Sequence, residues 1–166
     1  MTASPSRSLR RDAGYAILAL AAVVLVSVLG QIATFPNLTP WYASLNKPSF
    51  NPPNWVFGPV WTTLYLLMAF ALWRVLRLPP DRPGRRAALA YFFAQLALNA
   101  AWSWLFFWAH SPLLGLVDLV PQLVMIAATV VSFARIDKIA AWCLVPLFAW
   151  VSYASLLNVA VWRLNG

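Results

Sequence analysis

Tryptophan and amide side chains inside hydrophobic segments carry the most evident chemistry of this sequence. Trp61, Trp102 and Trp150 offer broad apolar rings that stack on planar ligands, and Asn99 offers a hydrogen bond. Asp118 is the one carboxylate inside a long hydrophobic segment. Because polar groups are unfavourable in hydrocarbon, they usually turn toward the interior of a bundle. The residues themselves leave two interpretations open: packing inside the bundle, or the wall of a pocket for an amphipathic, planar ligand.

Acid–base or metal chemistry has little support in the sequence. The one histidine, His110, lies at a loop end, and we interpret it as an interfacial polar residue. Neither the HExxH nor the CxxC spacing of metal ligands occurs. The one cysteine, Cys143, excludes a disulfide framework and any multi-cysteine metal site. We therefore assign no assured catalytic residue, no metal site and no obligate cofactor.

The elements that must position these residues are membrane-spanning helices. The chain has 166 residues, 62% of them hydrophobic, which exceeds what a soluble domain of this size buries. Five apolar stretches are long enough to span the bilayer: Gly14–Phe35, Trp55–Leu78, Ala87–Ala109, Pro112–Ala134 and Ile139–Trp162. The short connections predict adjacent, antiparallel neighbours. We expect an all-α membrane protein, a five-transmembrane-helix bundle forming one domain at 14–165 after a basic tail at 1–13.

The net charge of +8 follows from membrane topology rather than from nucleic-acid binding. With five spans, ten of the twelve basic residues share one side: Arg7, Arg10, Arg11, Arg74, Arg77, Arg82, Arg85, Arg86, Arg135 and Lys138. Lys47 and Arg163 lie on the other side. By the positive-inside rule the amino terminus is cytoplasmic and the carboxyl terminus is outside. We expect an integral, multi-pass protein of a bacterial membrane, in contact with the lipid bilayer and with no nucleic acid.

The long loop between the first two spans is rich in proline and aromatic residues. Five prolines between Pro36 and Asn54 forbid a continued helix, and the aromatic side chains would be poorly placed in water. The pattern predicts a structured loop that is pressed onto the bundle end. Two interpretations remain: an aromatic belt at the membrane interface, which composition favours, and a lid over a cavity.

An ordered set of residues resembles the translocator protein (TspO/MBR) family, whose members are also called tryptophan-rich sensory proteins or peripheral-type benzodiazepine receptors. The set begins with Trp41-Tyr42, Lys47-Pro48, Pro52-Pro53, Trp55, Trp61 and Leu64-Tyr65. It continues with Gln95, Leu98-Asn99, Trp102-Ser103, Phe106-Phe107, Asp118, Pro146, Trp150, Ala154, Leu157-Asn158 and Trp162-Arg163-Leu164-Asn165. The resemblance covers residues 14 to 165.

This resemblance implies a homodimer and a bundle pocket under the first loop. The implied ligands are tetrapyrroles such as protoporphyrin IX or haem, together with sterols and benzodiazepine-type compounds. The candidate ligand-binding residues are Trp41, Tyr42, Pro52, Trp61, Tyr65, Asn99, Trp102, Ser103, Asp118, Trp150 and Ala154. The function expected is binding and regulation, in porphyrin handling or transport.

Two other classes of function remain open. The resemblance also implies light-dependent porphyrin degradation, in which Trp61 and Trp150 would be the oxidisable rings. An ion-coupled transporter would need several buried charges, and Asp118 alone is weak support for that class. The sterol-recognition pattern of the family needs a tyrosine where this chain has Val159, which puts sterol binding by that route in doubt.

Helical spacing separates two faces of the third span. Gln95, Asn99, Trp102 and Phe106 form a polar and aromatic stripe that should face the interior together with Asp118 and Asn158. A second stripe consists of Ala90, Ala94, Ala97 and Ala101. Small residues at this spacing allow close helix approach, so the alanine stripe is a candidate homodimer seam, or else a contact within the bundle.

Overall fold

A computed structural model describes the backbone of residues 5–166 and the side chains from Leu9 onward. This part of the chain is helical and contains no strand. Its long helices are α1 (Pro5–Thr34), α2 (Asn54–Leu76), α3 (Arg85–Ser103), α4 (Pro112–Ala134) and α5 (Lys138–Asn165). All five are long and apolar enough to cross a membrane. The predicted five-helix membrane bundle is confirmed.

The helix bounds follow local sequence signals. Helix α4 has the predicted bounds, and its first turn is capped by Ser111, whose Oγ accepts the backbone N–H of Leu114 at 3.2 Å. Asp137 caps α5 in the same way through the N–H of Ala140 at 3.0 Å. Helix α1 begins at Pro5, so most of the predicted tail continues the first span as a helix.

The five helices form a closed ring in the order α1, α2, α5, α4, α3. Each helix packs against its two ring neighbours, and the most extensive interfaces are α4 with α5 and α3 with α4. The carboxyl end of α1 and the beginning of α2 lie at one end of the ring, which also carries residues 35–53. We call this end the loop end, and the opposite end, near residues 77–84 and 135–137, the tail end.

One expectation of adjacency is wrong. Helices α2 and α3 are joined by a short connection but make few contacts, because α1 lies between them on that side of the ring. The eight connecting residues at 77–84 span up to about 26 Å when extended, enough to cross the width of two helices. Gly84, in the left-handed region with φ +83°, ends this connection and begins α3.

The tail half of the ring is filled with apolar side chains. Met68, Leu72, Phe92, Ile126 and Phe133 each expose 0% of their surface. The rings of Phe92 and Phe133 stack with centroids 5.8 Å apart. Close packing of this kind is the main source of stability between helices in a membrane, where lipid is as apolar as the protein core.

Polar contacts join the helix ends at the tail end. Arg74 on α2 forms an ion pair with Asp137 at 2.9 Å, and Arg77 pairs with Asp12 on α1 at 3.0 Å. Arg85 donates to the carbonyls of Val75 and Leu76 at 3.1 and 3.0 Å, which satisfies the carboxyl end of α2. These contacts fix α1, α2, α3 and α5 relative to one another.

Candidate functional site

A cavity of about 430 Å³ lies inside the ring at the loop end. All five helices and residues of the first loop contribute to its wall. Eight of the eleven predicted ligand-binding residues line it: Tyr42, Trp61, Tyr65, Asn99, Trp102, Ser103, Trp150 and Ala154. Residues from four separate elements of the sequence therefore come together around one space.

Three predicted residues do not line the cavity. Trp41 lies outside it, with its ring against those of Phe106 and Phe107. Pro52 lines a separate groove between α2 and α5. Asp118 is buried at 6% exposure, and it does not line the cavity, whereas Leu119 and Gln122 of the same helix do. Asp118 lies on the same side of α4 as Gln122, one turn nearer the start of the helix.

Aromatic rings form the broadest surfaces of the wall. Trp61 lies beside Tyr65 on α2, with centroids 5.4 Å apart and planes inclined by 32°. Trp102 on α3 stacks on Phe106, in the short helical segment Trp104–Trp108 that follows α3, at 4.9 Å and 18°. On α5, the ring of Trp150 meets Phe57 edge to face at 5.8 Å. The cavity thus presents aromatic surfaces from three helices.

Hydrogen bonds orient two of the polar wall residues. The Tyr65 hydroxyl donates to Asn99 Oδ1 at 3.0 Å, across the ring from α2 to α3. Trp102 Nε1 donates to Asn158 Oδ1 at 3.2 Å, and Asn158 Nδ2 donates to the carbonyl of Pro112 at 2.6 Å. With Oδ1 accepting from Tyr65, the amide nitrogen of Asn99 remains a donor toward the cavity.

The buried polar residues face the interior, as the sequence predicts, but no hydrogen bond joins them to one another in the described residues. Gln95, Asn99, Asp118 and Asn158 all face the interior with 1–6% exposure. Gln95 lies in the packed half, where its Nε2 is 3.8 Å from the sulfur of Met68. Asp118 Oδ2 and Gln95 Oε1 are buried without a hydrogen-bond partner among the described residues. Asn158 acts as a structural bridge between three helices, as packing alone would predict.

Helix α4 approaches the other helices closely at Gly115. A Cβ atom built on Gly115 would lie 2.9 Å from Asn158 Oδ1 and 3.0 Å from a ring carbon of Phe106. A side chain at this position would therefore displace the two residues that hold Trp102 in place. Gly115 is a supporting residue that the sequence analysis missed, because a single glycine in a helix has no distinctive pattern.

The first loop closes the loop end of the cavity. Tyr42 is buried against Phe107, and the Trp41 ring stacks on His110 at 4.7 Å. His110 Nε2 lies within hydrogen-bond distance, 2.7 Å, of Asn37 Oδ1. The predicted structured loop is confirmed, and its packing over the cavity is that of a lid. Trp55, which is 75% exposed, suits the interfacial belt instead.

Helix α5 also holds the lid. Asn46 N–H donates to Asn165 Oδ1 at 2.8 Å, and Asn165 Nδ2 donates to the Asn46 carbonyl at 2.9 Å. The Tyr153 hydroxyl donates to the carbonyl of Phe50 at 2.7 Å. The loop is thereby attached to the bundle at points far apart in sequence, which no local pattern signals.

The wall between α1 and α2 is open. Gln31 on α1 and Asn54, Gly58 and Thr62 on α2 line the cavity and are also exposed, unlike most of the other residues of the wall. Gln31 lies within one turn of the end of α1, and Asn54 begins α2. The opening therefore lies next to the lid, at the loop end of the bundle.

The alanine stripe of α3 faces away from the cavity. Ala90 and Ala97 are exposed, and Ala94 and Ala101 are half-buried. The stripe is therefore only partly covered within the bundle. Among the described residues, no group of three or more histidine, cysteine or acidic side chains is placed to hold a metal ion.

Comparison with known proteins agrees with this architecture. Residues 18–163 match the TspO/MBR family. The chain is 40% identical over 148 residues to the tryptophan-rich protein TspO of Chlorobaculum tepidum, covering 89% of this chain and 94% of that protein.

Other relatives have translocator and sensory names. Identity to the translocator protein of Homo sapiens is 41% over 126 residues, 75% of each chain. Identity to the tryptophan-rich sensory protein of Cereibacter sphaeroides is 40% over 125 residues, 75% of this chain and 77% of the relative. The match spans the five helices and the lid, and this multi-pass membrane protein belongs to the TspO/MBR family of translocator-type proteins.

Proposed function

We propose that the cavity binds a tetrapyrrole such as protoporphyrin IX or haem, and that the protein handles or transports porphyrin in its membrane. The observation that carries this proposal is the set of aromatic faces from Trp61, Trp102 and Trp150 around one space of about 430 Å³. Flat apolar ligands gain the most from such surfaces. Asn99 adds a hydrogen-bond donor to the same wall.

The cavity is built for capture from the bilayer. Its lid blocks the loop end, whereas the opening between α1 and α2 faces lipid. An amphipathic ligand dissolved in the membrane therefore has a lateral route into the cavity. Sterols and benzodiazepine-type compounds share this apolar character and are the other ligands to test.

Fluorescence quenching of the purified protein, titrated in the dark with protoporphyrin IX, haem and cholesterol in parallel, tests the proposal. We expect saturable quenching by the tetrapyrroles, with weaker binding of cholesterol because Val159 breaks the recognition pattern. Failure of both tetrapyrroles to saturate would contradict the proposal.

Light-dependent degradation of porphyrin is a second candidate, favoured by the presence of both Trp61 and Trp150 in the cavity wall. An excited porphyrin beside an oxidisable indole needs no acid–base pair. Loss of the porphyrin absorption band in light, for the wild type and for Trp61→Phe and Trp150→Phe, tests this candidate. Equal bleaching by the wild type, both variants and an unrelated membrane protein would exclude it.

We also propose that the protein forms a homodimer and has a cytoplasmic amino terminus. The exposed alanine stripe supports a homodimer in which α3 packs against its counterpart, since small residues allow close helix approach.

The basic residues at the tail end support a cytoplasmic amino terminus and an outside carboxyl terminus in a bacterial membrane. Reporter fusions at both ends would test the orientation; termini on the same side would overturn it.

A further inference from the structure

The described part of the cavity wall contains no charged side chain. Among the residues that the structure describes, twenty-six line the cavity, and none of them is lysine, arginine, histidine, aspartate or glutamate. A carboxylate that enters such a space loses its hydration and gains no counter-ion, which is strongly unfavourable in a low dielectric. The wall therefore discriminates against charge wherever it encloses the ligand.

Lys47, the cation of the first loop, does not supply a counter-ion to the cavity. Lys47 Nζ donates to the carbonyls of Tyr42 and Leu45 at 2.6 and 3.2 Å. It also lies 4.5 Å from the centroid of the Tyr42 ring, as a cation–π contact. Lys47 thus stabilises the lid and is not part of the cavity wall.

Uncharged polar groups collect at the opening between α1 and α2. Gln31 and Asn54 are both exposed there and both line the cavity. Gln31 Nε2 donates to Ser27 Oγ at 2.9 Å, which leaves its second N–H available. A carboxylate at this opening keeps contact with water and lipid headgroups and accepts hydrogen bonds from these amides.

We propose that the cavity encloses only the uncharged part of its ligand, and that the ligand's carboxylates stay at the α1–α2 opening beside Gln31 and Asn54. This inference rests on the proposed tetrapyrrole function and specifies the ligand class. Protoporphyrin IX carries both acids on one edge of the ring, so its remaining edges enter the cavity. A ring with acids on several edges is excluded.

Matched pairs of acid and methyl ester separate charge from size. Protoporphyrin IX with its dimethyl ester, and coproporphyrin with its tetramethyl ester, are titrated in the dark against the detergent-purified protein. We expect the first pair to bind within about tenfold of each other, and coproporphyrin to bind at least about 100-fold more weakly than its larger ester. Equal binding of coproporphyrin and its ester would overturn the inference.

A charge placed at the opening gives an independent test. Gln31→Lys supplies a cation on an exposed position, and Gln31→Leu is the matched control without charge. Lysine should raise the preference for protoporphyrin IX over its dimethyl ester by about two- to fivefold relative to leucine. An unchanged acid-to-ester ratio would overturn the position assigned to the carboxylates.

The two proposals fail in different ways. Binding of protoporphyrin IX without binding of its dimethyl ester would overturn this inference and leave the tetrapyrrole function standing. Absence of binding by both compounds would overturn the function and the inference with it.

Discussion

The two halves of the bundle use the same five helices for different purposes. At the tail end the ring is filled by residues such as Leu72, Phe92 and Phe133, which are fully buried. At the loop end the same ring encloses a cavity of about 430 Å³ with aromatic walls. Packing in the tail half fixes the positions of the helices. Those positions place the side chains that line the cavity in the loop half.

Helix α2 shows the difference along a single stripe. Trp61, Tyr65, Met68 and Leu72 share one face, but the first two line the cavity and the last two fill the packed half. Helical periodicity determines the direction in which a side chain points. Whether it meets another side chain or a space depends on the sizes of residues on the opposite helices.

The largest expected effect is the loss of stability when a leucine of the packed half, rather than one of the cavity wall, is truncated to alanine. Leu72→Ala removes a fully buried side chain from the packed half and should lower the free energy of unfolding by about 2–5 kcal/mol. Leu157→Ala, in the cavity wall, should have a much smaller effect because it only enlarges an existing space. Thermal unfolding of both variants in one detergent measures the difference. Equal losses would mean that the two halves are not packed differently.

Loss of the ion pair between Arg74 and Asp137 should give the second largest decrease in the free energy of unfolding. Asp137→Ala removes both the bond to Arg74 and the cap of α5, so we expect a loss of about 1–3 kcal/mol. Asp137→Asn keeps a capping oxygen and should lose less. Asp81→Ala, at an exposed position, is the control and should stay within about 0.5 kcal/mol of the wild type. If Asp81→Ala lowered the free energy of unfolding as much as Asp137→Ala, the ion pair between Arg74 and Asp137 would have no specific stabilising role.

Loosening of the lid should be smaller and local. Asn165→Ala removes two hydrogen bonds to Asn46, worth about 1 kcal/mol together at this exposed position. Hydrogen exchange should rise in residues 43–53 while the packed half around Phe92 stays protected. A uniform rise over the whole chain would show that Asn165 supports the bundle rather than the lid.

The sequence predicts the framework better than the site. Apolar length predicted all five spans, and the bounds of α4 were predicted without error, because Ser111 and Pro112 form a strong helix start. Seven of the eight candidate residues that line the cavity lie on the helices, where their positions determine their faces, and Tyr42 lies on the first loop. Those positions are set by a helix period that the sequence displays directly.

The features that the sequence did not predict depend on how the helices are arranged in the bundle. Loop connectivity suggested that α2 and α3 are neighbours, but the ring places α1 between them on one side. Asp118 is buried without lining the cavity, although Gln122, one turn further along α4, lines it. Gln122 and Phe57 also line the cavity and were not among the candidate residues, although Gln122 is an amide inside a hydrophobic segment.

The smallest expected effect concerns the outside of α3. Ala97→Leu adds bulk to an exposed position on the face opposite to Asn99, so tetrapyrrole affinity should change by less than about twofold. The same substitution should weaken the proposed homodimer. Crosslinking and titration on one sample measure both. Unchanged dimerisation would exclude the alanine stripe as the seam.

The central claim is that the aromatic wall of the hollow half binds the tetrapyrrole. Dark titration with protoporphyrin IX of the wild type, Trp61→Phe, Trp150→Phe and Asn99→Ala tests it, with Trp142→Phe as a control at a 71% exposed position of the packed half. We expect a loss of about 0.5–1.5 kcal/mol of binding free energy in each cavity variant and none in the control. Unaltered affinity in all three cavity variants would contradict binding of the tetrapyrrole at the aromatic wall.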